Sequence, residues 1–214
     1  MNTEDILTHA RTVIKTEANM VNRLAERLDQ QFINAYHYLK DCQGHVVVIG
    51  IGKSGHVGKK IAATLASTGS PAFFIHPSEA KHGDIGMITP NDVVLMISHS
   101  GESSELIDLI PSIKQLGVPL VVMTGRIQST LAQAANAVID VDIEKEACPL
   151  GLAPTSSSTV ALVMGDAIAI TLSSERGFTK EDFARSHPGG MLGKRLLLRV
   201  SQMMHQCEAM PLVL

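Results

Sequence analysis

Val46-Val-Val-Ile-Gly-Ile-Gly-Lys-Ser-Gly-His-Val-Gly58 decides the reading of the chain: a wholly apolar strand runs directly into a Gly50-x-Gly52-x-x-Gly55 turn that opens a helix. Glycines there remove Cβ atoms, so backbone N–H groups and the positive end of a helix dipole can close around an anion. Two familiar uses of such a turn do not fit. A nucleotide P-loop needs glycine five residues before Gly52-Lys53-Ser54, and position 47 is Val. A dinucleotide fold needs an acid at the end of the second strand to hold a ribose, but that strand, Pro71 to Ile75, ends in His76-Pro77, and Glu79 follows late. The expected ligand is therefore a phosphate belonging to something other than NAD or ATP.

Working outward, short β-branched runs recur at 45–49, 71–75, 93–97, 119–123 and 137–141, separated by helical segments near 56–68, 103–116 and 128–135. Runs this apolar at this spacing predict a parallel sheet covered on both faces, an α/β fold whose ligand sits beyond the carboxyl ends of the strands. The segment 77–90 is less regular. A helix is expected from about 155, at Thr155-Ser-Ser-Ser, to Gly177, and a shorter one over about 179–186. Ahead of the sheet, apolar positions from Ile6 to Leu39 recur at helical spacing and predict two helices, whose stripe must pack on the sheet or on another subunit.

The bulk numbers narrow the classes. At 214 residues with a formal net charge of −3, the chain supports one sizeable core and lacks the basic run or aromatic platform of a nucleic-acid partner. Cys42, Cys148 and Cys207 form no C-x-x-C pair, which fits a reducing, cytoplasmic setting. No signal-like start is present, and no membrane partner is expected, since no apolar run reaches spanning length. Tryptophan is absent, so the ten Met serve as core filler beside Ala, Val, Ile and Leu.

After the third strand comes Ile97-Ser-His-Ser-Gly-Glu-Ser-Ser-Glu105. The hydroxyls of Ser98, Ser100 and Ser103 around Gly101, where strand gives way to helix, make an anion cradle with no cationic side chain. A Ser-x-x-Glu helix cap is the structural alternative; it explains one Ser and one Glu, not the density.

This serine loop with the preceding glycine turn resembles the sugar isomerase (SIS) domain. Gly52-Lys-Ser-Gly-His56, Ala63-Thr-x-Ala-Ser-Thr-Gly69, His82-Gly-Asp-x-Gly86, Lys145-Glu-Ala-Cys-Pro-Leu-Gly-Leu-Ala-Pro-Thr-Ser157 and Ser186-His-Pro-Gly-Gly190 narrow the resemblance to the D-arabinose 5-phosphate isomerases, over about residues 40–200. It implies a three-layer sandwich with a five-stranded parallel sheet, with N-terminal helices over 1–42, the isomerase domain over 43–199, and over 200–214 a linker and the start of a CBS domain that stops short, so that CBS regulation would be missing. It also implies a homotetramer, with some loops reaching a neighbour's pocket.

The implied reaction interconverts D-ribulose 5-phosphate and D-arabinose 5-phosphate for the Kdo sugar of lipopolysaccharide. It needs a base, an acid and donors for an enediolate, with no cofactor. The resemblance groups Lys53, Glu105, Glu146 and His187 as the catalytic set, with Glu146 as base, although Lys145 and Asp142 beside Glu146 suit an ordinary surface charge. His187 is placed for proton shuttling or ring opening. Lys53 either steadies an oxyanion or contacts the phosphate as a point charge. Ser54, Gly69, Ser70, His82, Ser98, Ser100, Gly101 and Ser103 are the implied substrate contacts. The family position at His76 binds inhibitory zinc, which would have to recruit His82, Glu105 or His187, since one His makes no closed site. His99 departs from the pattern, where Asn is expected: it either adds a cation near the phosphate at low pH or points away. Two other readings remain: a non-catalytic sugar-phosphate sensor, and an isomerase for another ketose phosphate.

Overall fold

The computed structural model describes residues 1–188; Gly189, Gly190 and the 200–214 segment expected to begin a CBS domain lie outside the described residues. Five parallel strands, β1 (Val46–Gly50), β2 (Ala72–Ile75), β3 (Val93–Ile97), β4 (Leu120–Thr124) and β5 (Ala137–Asp140), pair in the order β2-β1-β3-β4-β5. Alternation of side chains along each strand gives the sheet two apolar faces. Val46, Val48, Leu95, Ile97, Val121 and Met123 point to one face, and Val47, Ile49, Val94, Met96 and Val122 to the other. The first face is covered by α2 (Gln30–Lys40), α3 (Gly52–Ser67) and α8 (Ser156–Glu175) through residues such as Leu39, Ile61, Leu65 and Met164. The second is covered by α5 (Ser104–Ile107), α6 (Ile110–Leu116) and α7 (Thr130–Ala134) through Leu106, Ile113 and Leu131. A parallel sheet buried on both sides is the expected outcome of strands with no polar alternation.

Helix boundaries differ from the sequence reading at two places, each with a local cause. α3 starts at Gly52, four residues earlier than expected, because Gly52 takes φ +58° and lets the chain leave β1 without an intervening loop. The helix expected over 103–116 is two short helices. Pro111 has no N–H to offer the carbonyl of Ile107, so the first helix stops there and the second restarts at Ile110. The irregular 77–90 segment holds α4 (Pro77–Lys81) and a 3-10 turn at Asp84–Met87.

α1 (Thr3–Glu26) packs on α8 through its second half, where Met20 and Leu24 are buried; Ile6, Leu7 and Ile14 in its first half are exposed. The expectation that no apolar run reaches spanning length needs correction. α8, with 20 residues, is long and apolar enough to cross a membrane by length and composition. Its buried apolar side chains pack against the sheet, α1 and α3, so α8 is a core helix. Its Ser and Thr content hid the length of the apolar stretch in sequence. A last helix, α9 (Lys180–Ser186), starts in a capping box between Thr179 and Asp182.

Candidate active site

In the order β2-β1-β3-β4, the connection from β1 runs to one side and that from β3 to the other, and the carboxyl ends of β1 and β3 flank the crevice where such folds bind ligands. A cavity of about 360 Å³ opens there. Its walls are Ile51, Lys53 and Ser54 from the β1–α3 turn, Ser98, His99, Ser100 and Ser103 after β3, and Glu146, Ser157 and Ser158 around the start of α8. This volume lies in the range that holds a small metabolite.

α3 has no side-chain cap, its N-cap position being Ile51. The first-turn N–H groups of a 16-residue helix therefore have no capping side chain, next to Lys53 and Ser54 in the cavity wall. An uncapped helix start with a lysine beside it is a ready anion site.

The serine loop is built by its glycine. Gly101 takes φ +65°, and a Cβ there would stand 2.0 Å from Ser129 Oγ, so only glycine fits. The Gly101 N–H donates to Ser98 Oγ (3.1 Å), and the hydroxyls of Ser98 and Ser103 pair at 3.0 Å. The helix-cap alternative is overturned. Ser103 occupies the N-cap position of α5 but makes no capping bond, and Glu105 follows it by two residues where a capping box needs three. The acid that does secure the loop is Glu102, which accepts from the Thr130 N–H at 2.8 Å; that bond first, then the Thr130 hydroxyl, holds its carboxyl below the usual range.

Glu146 is positioned by the start of α8. Its Oε2 accepts from the Thr155 N–H (2.8 Å), the Thr155 hydroxyl (2.9 Å) and the Ser157 N–H (3.2 Å), and its Oε1 accepts from the Ser157 hydroxyl. Burial alone would push its carboxyl up, but the bonds from Ser157 and Thr155 together outweigh it and hold the carboxyl below its ordinary value. Thr155 and Ser157 were not singled out from sequence as partners of this acid. The signal was available: Thr155-Ser-Ser-Ser158 has the same hydroxyl density at a helix start that marked 98–103.

One chain thus gathers Lys53, Ser54, Ser98, Ser100, Ser103 and Glu146 about a single cavity. Other sequence candidates lie elsewhere. Glu105, half-buried on α5 and bonded by the Ser104 hydroxyl, does not line it. His82 is exposed at the end of α4. Gly69 and Ser70 follow the far end of α3, roughly 24 Å from its start by helical rise. Ser70 is only 1 % exposed, and Arg176 donates to both its hydroxyl and the Gly69 carbonyl. His187 lies at that same far end: the Ser186 hydroxyl donates to the Ser67 carbonyl, and the imidazole stacks on Phe183 at 4.0 Å.

His76 accepts the Ser78 N–H at Nδ1, capping α4, and among the described residues no three His, Cys, Asp or Glu groups come together as metal ligands. The residues of one described chain do not fit a zinc site, and no chemical step is assigned to zinc.

The model of the SIS domain matches residues 39–171, which contain every strand and the whole cavity. The chain belongs to the SIS domain family. This SIS domain is 56 % identical to the arabinose 5-phosphate isomerase KdsD of Pseudomonas aeruginosa over 98 % of its own length and 64 % of that protein's, and 56 % identical to KdsD of Escherichia coli K12 over 93 % and 61 %. The chain therefore spans less than two thirds of the length of these curated relatives. A protein of E. coli CFT073, solved in complex with arabinose 5-phosphate, superposes with a TM-score of 0.86 at 43 % identity, over 88 % of this chain and all of that one.

Proposed function

We propose that the chain carries the isomerase activity that interconverts D-ribulose 5-phosphate and D-arabinose 5-phosphate. The observation that carries this reading is the convergence of an uncapped helix start, a serine loop and a hydrogen-bonded carboxylate in one cavity of about 360 Å³. The similarity to a whole chain solved with arabinose 5-phosphate, the product sugar of this reaction, and to two KdsD proteins supports it.

The phosphate is held by Ser98, Ser100 and Ser103 with the first turn of α3, leaving the carbonyl end of the sugar toward Lys53 and Glu146. Glu146 removes a proton from C1 of the ketose. The C2 oxygen gains a proton, the O1 proton is released, and C2 is protonated to give the aldose. Only protons move, so acid and base groups suffice and no cofactor is required. The bonds that depress Glu146 keep it ionised at neutral pH but weaken it as a base, so the Lys53 ammonium is needed to stabilise the enediolate. Glu105, His82 and His187, together with Gly69 and Ser70, belong to the functional set on resemblance alone. A homotetramer, also proposed, would give those outside the cavity a route to a neighbour's ligand. The physiological setting proposed is cytoplasmic supply of the Kdo sugar.

Incubation with D-ribulose 5-phosphate tests the reading, with arabinose 5-phosphate as the expected product. Binding of the sugar phosphate without turnover would replace it by the sensor reading, and turnover of a hexulose phosphate instead would reassign the substrate.

A further inference from the structure

His99 stands between the two serines of the anion loop, and its surroundings are unlike those of a solvent-facing histidine. The Nδ1–Cε1 edge of the ring packs against Gly125: a Cβ on that glycine would stand 2.5 Å from Cε1 and 2.6 Å from Nδ1. Nδ1 is buried and has no hydrogen-bond partner among the described residues. The His99 carbonyl accepts from the Gly125 N–H (3.0 Å) and the Thr124 hydroxyl (3.3 Å), which fixes the backbone beneath the ring. His99 lines the cavity, and its Nε2 is accessible and bonds to no described residue, which leaves it open to a ligand.

This arrangement selects a tautomer. A proton on Nδ1 would be a buried donor with no acceptor, whereas a bare lone pair there is the smaller loss. The neutral ring therefore carries its proton on Nε2, the accessible nitrogen of this cavity-lining residue.

We propose that His99 is a phosphate-orienting residue that donates through Nε2–H to a phosphate oxygen of the bound sugar phosphate, and that Gly125 is the seat holding the ring in that pose. The proposal rests on the sugar-phosphate reading of the cavity, and it assigns a specificity contact that the family pattern, with Asn expected at this position, does not supply in the same place. An Asn amide ends near where Nδ1 sits; a Gln amide reaches to about the Nε2 position.

The difference in reach supplies the test. Calorimetric titration with inorganic phosphate and with D-arabinose 5-phosphate is compared for the wild type, His99→Gln and His99→Asn. The Asn variant is expected to bind about tenfold more weakly, the worth of one hydrogen bond to a charged group, and the Gln variant within about threefold of wild type. In turnover the Asn variant should raise KM with kcat nearly kept, because the contact is made equally in ground and transition states. Nitrogen NMR of the imidazole should show the proton on Nε2, with that resonance moving when phosphate is added. Gly125→Ala should weaken binding in the wild type but add nothing to His99→Ala.

Equal affinities for the three proteins, equal losses in both variants, a proton on Nδ1, or additive effects of the Gly125 and His99 changes would each overturn the proposal while leaving the cavity's function standing. A wild type that binds neither ligand would overturn both.

Discussion

At the scale of single residues, the proposed reaction turns on how Glu146 is held. Its carboxyl is depressed in the folded protein, so its contribution to stability is present above the unfolded value near 4.5 and is lost as pH falls through the lower folded value. Acidification from about pH 5 to pH 3 should therefore lower the melting temperature less in Glu146→Gln than in the wild type, as followed by circular dichroism. The same variant should lose about 10²–10⁴-fold in turnover. Ser157→Ala removes the largest bond holding the carboxyl down, so the acid limb of the kcat/KM profile should move to higher pH; an unmoved limb would take the role of base away from Glu146. The place of Glu146 after the fifth strand allowed it to face the cleft, but beside Lys145 and Asp142 it also suited a surface charge, and only the resemblance singled it out. Its partners were not legible, because Thr155 and Ser157 are nine and eleven residues away and meet it only once the start of α8 folds back over it.

At the scale of elements, the helices facing the cavity are held by close approaches that sequence patterns mark only as glycines. α3 and α8 touch at Gly165, where a Cβ would stand 2.3 Å from Ile61 Cγ1. Gly165→Val should destabilise the fold by about 1–3 kcal/mol through overpacking, read as a lower denaturant midpoint with unchanged slope. Gly101 is constrained in two ways, by φ and by Ser129, so Gly101→Ala should both destabilise by about 1–3 kcal/mol and weaken phosphate binding. The strand runs were readable because a doubly covered parallel strand is apolar at every position. The break at Pro111 was readable in principle, but the helical periodicity on either side of it masked the interruption.

At the scale of the whole molecule, the sheet order places the cavity, and the unpaired parts of the chain point outward. If the proposed tetramer forms, light scattering should return four times the 22.9 kDa chain mass, and Ile6→Asp with Ile14→Asp should lower it, because these exposed α1 residues have no partner within the described chain. A monomeric wild type would leave His187, His82 and Glu105 without a route to the ligand. The resemblance grouped Lys53, Glu105, Glu146 and His187 as one set; within a chain only Lys53 and Glu146 meet at the cavity.

The sequence by itself determined the parallel sheet, the glycine turn after β1, the serine loop after β3 and the family, because these depend on local periodicity and on contiguous motifs. Only the tertiary structure decided which residues share a cavity, since helices as long as α3 carry motifs at their two ends to opposite ends of the strands. It also decided that Ser103 faces Ser98 instead of capping its helix, that Glu146 is spanned by Thr155 and Ser157, and that the His99 ring rests on Gly125. Each of these is a contact across chain separation, where packing and hydrogen-bond satisfaction choose the partner and no pattern along the chain records it.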